Sequence, residues 1–302
     1  MGILFGTEVV LLKKLWPKLL AGAGAALVLS LGAAFAVGGR GTPVPVLMYH
    51  HFIEEGPAQA DTVVTARSFE EQLQALKKAG YTSITPRQLT DYVDGKGALP
   101  EKPVLITMDD GYTSNLTIAA PILEKYGMTA TVFVIGINVG EKVSPHSGQP
   151  LDPPRFSWGE VRPWVDKGVL TVQSHTYDMH QRADYGFSGR DGVLPLEGET
   201  DYRAALVEDF YRAKEGLEQG MGTEMTALAF PFGLCSREAV DELEKLGVRV
   251  TFTTEYGCSR AVPGAPESIQ CMDRWNITDE ITGEQLTAGL QKLEIRACAR
   301  LF

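Results

Sequence analysis

Short apolar runs rich in β-branched residues alternate with longer amphipathic stretches along the chain that follows residues 38–43. This alternation is typical of repeated β/α units, so it predicts an α/β fold. Seven runs are interpreted as strands, at Val44 to Tyr49, Tyr81 to Thr85, Val104 to Met108, Ala130 to Val134, Leu170 to Ser174, Ala227 to Phe230 and Val248 to Thr253. About seven strands in roughly 260 residues suit a single distorted (β/α) barrel. An open doubly wound sheet is the alternative.

Several amphipathic stretches carry helix end signals. Ser68 followed three positions later by Glu71 forms a capping-box pattern, which predicts a helix that begins there and runs to about Ala79. Gly80 is then the glycine that ends the helix. Two further helices are predicted because a glycine follows each of them, over residues 113–126 and 237–246.

Two stretches are too irregular and too rich in Gly, Pro and polar residues to form elements, at residues 136–156 and 181–199. They are predicted to be loops inserted at one rim of the barrel. Catalytic residues of a barrel stand where its strands end, so the strand ends are the places to search for chemistry.

An uncharged stretch of 19 residues runs from Leu19 to Val37. As a helix, at about 1.5 Å per residue, it nearly spans a hydrocarbon core roughly 30 Å thick. Lys13, Lys14 and Lys18 precede it, and only Arg40 follows closely. This bias predicts a cytoplasmic N-terminus, with everything downstream outside, held by a single-pass anchor in the cell membrane.

A cleaved signal peptide is the competing interpretation, because Ala34-Phe35-Ala36 resembles an A-x-A cleavage site. The anchor is favoured because the apolar region of a usual signal peptide has only about 7 to 15 residues. The predicted division is a cytoplasmic segment 1–18, a transmembrane anchor 19–37, a linker 38–43 and an extracytoplasmic domain 44–302.

The formal charge is −10, from 28 basic and 38 acidic residues, which argues against a nonspecific grip on nucleic acid phosphates. No glycine-rich phosphate-binding motif stands at a predicted strand-to-helix junction, and nothing indicates a protein partner. Outside the cytoplasm, the cysteines would allow one or two disulfides in any of three pairings, which the sequence leaves open. They are Cys235, Cys258, Cys271 and Cys298.

Two adjacent carboxylates, Asp109 and Asp110, follow the third predicted strand directly. Neighbouring residues of a strand face opposite sides, so both can serve one site only where the strand breaks. Gly111 permits such a break. The structural alternative is a hydrated Asp-Asp-Gly turn.

Two histidines, His175 and His180, lie five positions apart after the fifth predicted strand. Two imidazoles and one carboxylate form the ligand set of catalytic zinc sites, which leave a position open for water. The first strand ends in His50, and the sixth is followed by Pro231 and Phe232, in a turn that is able to present a backbone N–H. Structural roles for these residues are the alternative.

Together these motifs resemble the polysaccharide deacetylases with a NodB-type domain, carbohydrate esterase family 4, over about Val44 to Ile277. The family's T-F-D-D-G appears here as T-M-D-D-G, and the resemblance implies that Asp109 is the general base and Asp110 a metal ligand. The five-residue spacing of His175 and His180 is similar to the poly-N-acetylglucosamine deacetylase branch. In that branch both histidines bind the metal and a histidine matching His50 acts as the acid.

The chain also departs from the family pattern. The motif at residues 228–233 lacks the usual arginine that orients the base, and the family's later D-x-x-D-W and Leu-x-His motifs are missing. The segment from Arg274 to Ile277 resembles the closing strand of the branch. Trp158 is a further candidate stacking surface, with packing as the alternative. The oxyanion and the substrate are assigned to Tyr112, Pro231, Phe232 and Trp275.

The resemblance implies metal-assisted hydrolysis of the N-acetyl group of an amino sugar in an extracellular or cell-wall polysaccharide, peptidoglycan or poly-N-acetylglucosamine. One divalent ion is implied, Zn²⁺ first, with Co²⁺ or Ni²⁺ as alternatives. Two other functions are weighed against this one. They are a metal amidohydrolase acting on a small-molecule amide, and an inactive barrel that binds glycan, which the missing arginine and late histidine would suit.

Overall fold

The computed structural model describes residues 41–185 and 189–299. The predicted anchor at 19–37 and its flanks up to residue 40 lie outside the described residues. Among the residues described, no helix combines the length and the apolar character needed to cross a bilayer.

Strands alternate with helices along the described chain. The strands are β1 (Thr42–Val44), β2 (Val46–Tyr49), β3 (His51–Ile53), β4 (Val63–Thr65), β5 (Thr82–Ile84), β6 (Pro103–Asp109), β7 (Ala130–Val134), β8 (Leu170–Ser174), β9 (Ala227–Ala229), β10 (Val250–Phe252), β11 (Ser259–Ala261) and β12 (Trp275–Asn276). The α-helices are α1 (Ala66–Lys78), α2 (Pro86–Val93), α3 (Ala120–Tyr126), α4 (Trp158–Asp166), α5 (Tyr202–Met221), α6 (Arg237–Lys245) and α7 (Gly283–Ala299).

The main sheet is parallel and curled. Its strands follow the order β10-β9-β8-β7-β6-β2-β12, and β5 pairs with the start of β6. Met272, just before β12, forms a parallel bridge with Phe252 of β10, so this segment contacts both ends of the strand path. The predicted α/β barrel is confirmed as a curled half-barrel, and the open doubly wound sheet is not adopted.

The central strands are buried on both faces, as parallel strands covered by helices must be. All seven residues of β6 are buried. Val104 and Met108 join the larger hydrophobic cluster, whereas Leu105 joins a second one, because alternate side chains point to opposite faces. The core therefore has two layers, and the strand ends lie at the rim.

All seven predicted strands occur, with ends that differ by a few residues. The first is divided at Pro45, because proline has no N–H to donate to a ladder. β12 lies where the family resemblance indicated a closing strand. The two irregular stretches are loops with short 3-10 turns in their described residues.

Two helix predictions need correction. Helix α1 begins at Ala66, and its N-cap is Thr65, whose hydroxyl accepts the N–H of Ser68, so Ser68 does not cap the helix. The helix predicted over residues 113–126 begins with a π-helical turn, Asn115–Ala119. Pro121 follows that turn, and it has no N–H to donate to the residue four positions earlier, which favours the wider turn. The predicted endings at Gly80, Gly127 and Gly247 are confirmed within one residue.

Candidate metal centre and active site

The strand β6 breaks where its two carboxylates meet. Asp109 is its last residue, and Asp110 and Gly111 follow with φ of 73° and 71°. Glycine adopts this left-handed region freely, but a residue with a Cβ adopts it only at a cost. The break turns both carboxylates toward one site, as predicted, and Asp110 bears part of the conformational cost.

Asp110, His175 and His180 form a cluster at this rim. The Nε2 atom of His175 lies 3.6 Å from Oδ1 of Asp110, and that of His180 lies 3.4 Å from the same oxygen. One ligand atom from each residue lies within 4.8 Å of the others. The three residues predicted to be metal ligands are therefore brought together.

The hydrogen bonds around this cluster suit a cation. Nδ1 of His175 donates to the carbonyl oxygen of Ala229 at 2.7 Å, so Nε2 is the nitrogen that faces Asp110. Burial lowers the pKa of His180 to about 4, so this imidazole is neutral at pH 7. Oδ1 of Asp110 is buried and has no hydrogen-bond partner among the described residues. A buried carboxylate oxygen that faces the Nε2 atoms of two imidazoles fits a divalent metal ion.

Asp109 is held by Arg274. Nη1 of Arg274 donates to Oδ1 of Asp109 at 2.8 Å, and Nη2 lies 2.8 Å from Oδ2. Nε of Arg274 donates to the carbonyl oxygen of Thr253 at 2.7 Å. Burial on its own raises the pKa of Asp109, but Arg274, His175 and the hydrogen bond together lower it below its ordinary value. Asp109 is therefore an ionised carboxylate.

Arg274 is the functional residue that sequence reasoning missed. The family pattern places the arginine near residues 228–233, whereas here it precedes β12. Arg274 is fully buried, and Asp109 is 165 positions away along the chain. The available signal was a lone arginine beside a predicted closing strand, where a buried cation needs a buried anion.

His50 follows β2 and lies near both carboxylates. A positive charge on His50 would lower the pKa of both Asp109 and Asp110, although burial and other groups around the site have larger effects. Its carbonyl oxygen accepts from the amide of Asn115 at 2.7 Å, which orients the backbone. Its Nδ1 is buried and has no hydrogen-bond partner within the described part of the chain.

The turn Pro231–Gly233 follows β9 and borders the cluster. Phe232 has left-handed φ and ψ of 58° and 10°, and its ring centroid lies 4.5 Å from that of His180. A Cβ on Gly233, which has φ of 72°, would lie 2.2 Å from Oγ1 of Thr254. The turn is therefore packed tightly beside a predicted metal ligand.

The aromatic candidates separate into two groups. Tyr112 lies beside the site, and burial together with the charge of Asp110 raises its pKa. The guanidinium of Arg155 lies 3.8 Å from the centroid of its ring. Trp275 packs instead against Tyr256 and helix α7, and Trp158 packs against helix α5. Both tryptophans therefore have packing partners, and a role for either at the sugar stays a prediction.

The model of the family described as polysaccharide deacetylase matches residues 96–251. The chain belongs to this family. The matched residues include the two carboxylates at the end of β6, both clustered histidines and the turn after β9. The family and the enzyme class that the motifs indicated are thereby confirmed.

Relatives and solved structures agree with this membership. The poly-β-1,6-N-acetyl-D-glucosamine N-deacetylase of Escherichia coli strain K12 is 26% identical over 232 residues, which are 71% of this chain and 34% of that protein. The Staphylococcus aureus strain MRSA252 protein of the same name is 27% identical over 192 residues, 64% of this chain and 61% of that protein. This chain thus spans only part of the length of these relatives. The structure of IcaB from Ammonifex degensii matches with a TM-score of 0.66 and 26% identity, covering 83% of this chain and 98% of that one.

Proposed function

We propose that this deacetylase-family chain is a metal-dependent enzyme that removes N-acetyl groups from the amino sugars of an extracytoplasmic polysaccharide and releases acetate. One observation carries the proposal. The buried pair of Asp109 and Arg274 lies beside the cluster of Asp110, His175 and His180. Nε2 of His175 lies 3.9 Å from Oδ2 of Asp109. A base and a ligand set are thus adjacent.

Asp110, His175 and His180 are the residues that would hold the metal ion, with Zn²⁺ as the proposed ion and Co²⁺ or Ni²⁺ as alternatives. When bound, a divalent ion supplies a water whose pKa falls from about 15.7 toward about 7, and a positive charge near the developing oxyanion. The hydrogen bond from His175 to Ala229 fixes which nitrogen faces the ion.

Asp109 is the proposed general base. Its pKa lies below the ordinary value, so it is ionised at neutral pH and accepts a proton from the attacking water. Arg274 contacts both carboxylate oxygens, which orients the carboxylate and leaves limited room for it to rotate. Arg274 is a positioning residue in this scheme.

The remaining groups act on the two ends of the breaking amide. The backbone N–H of Phe232 is the proposed donor to the oxyanion, and one such donor is typically worth about 2.7 to 4 kcal/mol. His50 is the proposed acid that protonates the leaving amine, because an amide nitrogen leaves poorly without a proton. Tyr112 is proposed to line the sugar site.

The substrate is proposed from the relatives. Two of them are named poly-β-1,6-N-acetyl-D-glucosamine N-deacetylases, so a poly-N-acetylglucosamine is the first candidate and peptidoglycan the second. An anchor at residues 19–37 would hold the domain at the outer face of the membrane, where both polymers occur. The small-molecule amide remains an outcome of the test. The missing arginine was one argument for an inactive barrel. Arg274 weakens that argument, because it contacts Asp109 in place of the arginine that the motif at 228–233 lacks.

The proposal is tested by acetate release from the full-length protein in mild detergent. Oligomers of β-1,6-linked N-acetylglucosamine, chitooligosaccharide and peptidoglycan are compared, first with a chelator and then with added Zn²⁺, Co²⁺ or Ni²⁺. We expect the chelator to abolish release and a metal to restore it. Tight metal binding without release from any polymer would favour the small amide, and neither binding nor release would favour the inactive barrel.

Two variants separate binding from chemistry. Asp110→Asn should lose both metal and activity, because the orphaned oxygen is replaced by a neutral amide. Asp109→Asn should keep the metal and lose at least about 100-fold in kcat, the typical contribution of a general base. Near-normal turnover in Asp109→Asn would refute its role as the base. Metal content is measured by elemental analysis of each variant.

A further inference from the structure

Two cysteines lie on the segments that frame the site. Cys235 follows the turn Pro231–Gly233, and Cys271 precedes Arg274. Their Sγ atoms are 3.7 Å apart, although 36 positions separate them along the chain. The fold has thus brought together two thiols that the sequence alone did not pair.

The backbone around Cys271 is held in place. Cys271 has a left-handed φ of 52°, which a residue with a Cβ adopts only at a cost. Its N–H donates to Oγ1 of Thr251 at 2.7 Å, and the N–H of Met272 donates to the carbonyl oxygen of Thr251 at 2.8 Å. These bonds to β10 fix the direction in which the Cys271 side chain leaves the backbone.

The two thiols are accessible and unequal. Both cysteines are half-buried, so a small oxidant is able to reach them. The hydrogen bond between the two thiols, a hydrogen bond with Thr251 and the charge of Arg237 together hold the pKa of Cys271 below the usual range of a thiol. Because the thiolate is the nucleophile in thiol–disulfide exchange, Cys271 is the sulfur that attacks first.

The other two cysteines have different partners. Cys258 is buried against Leu293 and Ala297 of α7, and its thiol lies 3.6 Å from the carbonyl oxygen of Ser259. Cys298 is exposed, and its Sγ accepts from Arg260 at 3.0 Å. The structure thus favours, of the three pairings, the one that contains Cys235 and Cys271.

We propose that Cys235 and Cys271 form a disulfide bond that fastens the turn carrying Phe232 to the segment carrying Arg274. The Cys271 thiolate attacks the disulfide of an oxidant such as oxidised glutathione, and one glutathione leaves as a thiol. Cys235 then attacks the mixed disulfide at Cys271, and the second glutathione leaves. One protein S–S bond forms, the oxidant's S–S bond is reduced, and the two thiol protons pass to the two glutathiones.

The bond would stiffen a frame that already exists. Oγ1 of Thr254 donates to the carbonyl oxygen of Phe232, and Arg274 donates to the carbonyl oxygen of Thr253. The turn and the arginine therefore contact the same segment after β10. A disulfide would join the two segments covalently as well. It would thereby keep the N–H of Phe232, the proposed oxyanion donor, at a fixed position relative to Asp109, the base that Arg274 contacts. This effect on turnover rests on the proposed function, whereas the bond itself does not.

The bond is tested directly by peptide mapping. Full-length protein in mild detergent is equilibrated with oxidised glutathione or with a phosphine reductant, denatured, alkylated and digested. After oxidation we expect one pair of peptides joined through Cys235 and Cys271, and after reduction both cysteines alkylated. Alkylation of both after oxidation would overturn the proposal, and so would a link from either to Cys258 or Cys298.

Thermal melting supplies a second readout with matched variants. We expect the reductant to lower the Tm of the wild-type protein by roughly 5 to 10 °C, because a long loop is released in the unfolded chain. Cys235→Ser should abolish this shift, and Cys258→Ser should keep it. The opposite pattern would contradict the pairing.

Acetate release separates the two proposals. Reduced wild-type protein and Cys235→Ser should share a several-fold lower kcat than oxidised wild-type protein, with unchanged metal content. A preparation that contains the bond but releases no acetate refutes the proposed function alone. A preparation that releases acetate but forms no bond in oxidised glutathione refutes the disulfide alone.

Discussion

A buried arginine controls the protonation state of the proposed base. Without Arg274, burial would raise the pKa of Asp109, because a carboxylate loses its hydration in the interior. With Arg274 in contact, the pKa is lowered instead. If Asp109 is the base, the arginine therefore lowers the pH at which activity is lost on acidification. It does so from a segment that is remote in sequence.

Arg274→Met should raise the pH at which activity falls on acidification, because the pKa of Asp109 rises without the cation. It should also lower kcat/KM at pH 7 by at least about 10-fold, since a loss of about 1.4 kcal/mol of interaction corresponds to one pKa unit. Arg274→Lys should recover part of the loss, because a cation remains. The pH dependence of acetate release measures both. Arg67→Met, at an exposed position, is the control. An acid limb that does not move in Arg274→Met would contradict the role of Arg274.

Asp209 of α5 positions the loop that joins the two clustered histidines. Its carboxylate accepts the N–H groups of Tyr177 at 2.9 Å and Asp178 at 2.7 Å. Burial raises the pKa of Asp209 to about 6, and both bonds favour the ionised form. This carboxylate is thus held in an environment that disfavours its charge, where it supports the loop between the two proposed metal ligands His175 and His180.

Asp209→Ala should raise the Kd for Zn²⁺ by about 10-fold, the usual cost of losing support behind a metal ligand. Excess Zn²⁺ should restore most of kcat, an effect that a purely structural defect would not show. Asp209→Asn should lose less, because its amide oxygen still accepts one N–H. Metal titration by calorimetry reads the affinity, with Asp241→Ala on α6 as the control. Unchanged affinity in Asp209→Ala would exclude this role.

At the scale of elements, strained residues concentrate where strands reach the site. The non-glycine residues of the described chain with positive φ are Asp110, Thr176, Phe232 and Cys271. Asp110 follows β6, and Thr176 and Phe232 come shortly after β8 and β9. Such conformations persist only where the surrounding structure enforces them, and they are common at functional sites.

Tertiary contacts determine which residue is the N-cap of α1. Thr65 ends β4, caps α1 and donates through N–H and Oγ1 to Asp279, at 2.8 and 2.7 Å. In sequence, only Ser68 matches the capping-box pattern, because Glu71 stands three positions after it, whereas Ser68 itself stands three positions after Thr65. The distant carboxylate of Asp279 selects Thr65, because it satisfies the backbone N–H and the hydroxyl together.

Thr65→Ala should lower the free energy of unfolding by about 1 to 2 kcal/mol, at the upper end for a lost N-cap. Ser68→Ala should cost less, because the Ser68 hydroxyl accepts from Oγ1 of Thr65 at 3.0 Å and donates to the carbonyl oxygen of Asp279 at 3.2 Å, but it satisfies no backbone N–H of the first turn. Urea denaturation at fixed metal concentration measures both. A larger loss in Ser68→Ala than in Thr65→Ala would restore the cap that the sequence predicted.

At the scale of the whole molecule, the parallel sheet assembles the site. Because parallel strands present the same ends at one rim, residues that follow β2, β6, β8 and β9 meet there. Arg274 arrives beside Asp109 because its segment contacts both ends of the strand path. The curl of the sheet thus brings Arg274 into contact with Asp109.

The proposed anchor is also a prediction about the whole chain. In intact cells, an externally added protease should cleave the domain, and the uncleaved protein should sediment with membranes after a high-salt wash. Deletion of residues 1–40 should leave the domain inside the cell and protected. Release of a soluble form that begins near residue 37 would instead support the cleaved signal peptide.

The sequence by itself determined the class of fold, the seven strands and the residues of the proposed metal site, because these depend on local patterns of apolar runs, glycines and motif spacing. It did not reveal Arg274 as the partner of Asp109, the cap at Thr65 or the contact of Cys235 with Cys271. Each joins segments far apart in the chain. Such contacts depend on how the sheet curls and which buried charges must be paired, and only the tertiary structure decides that.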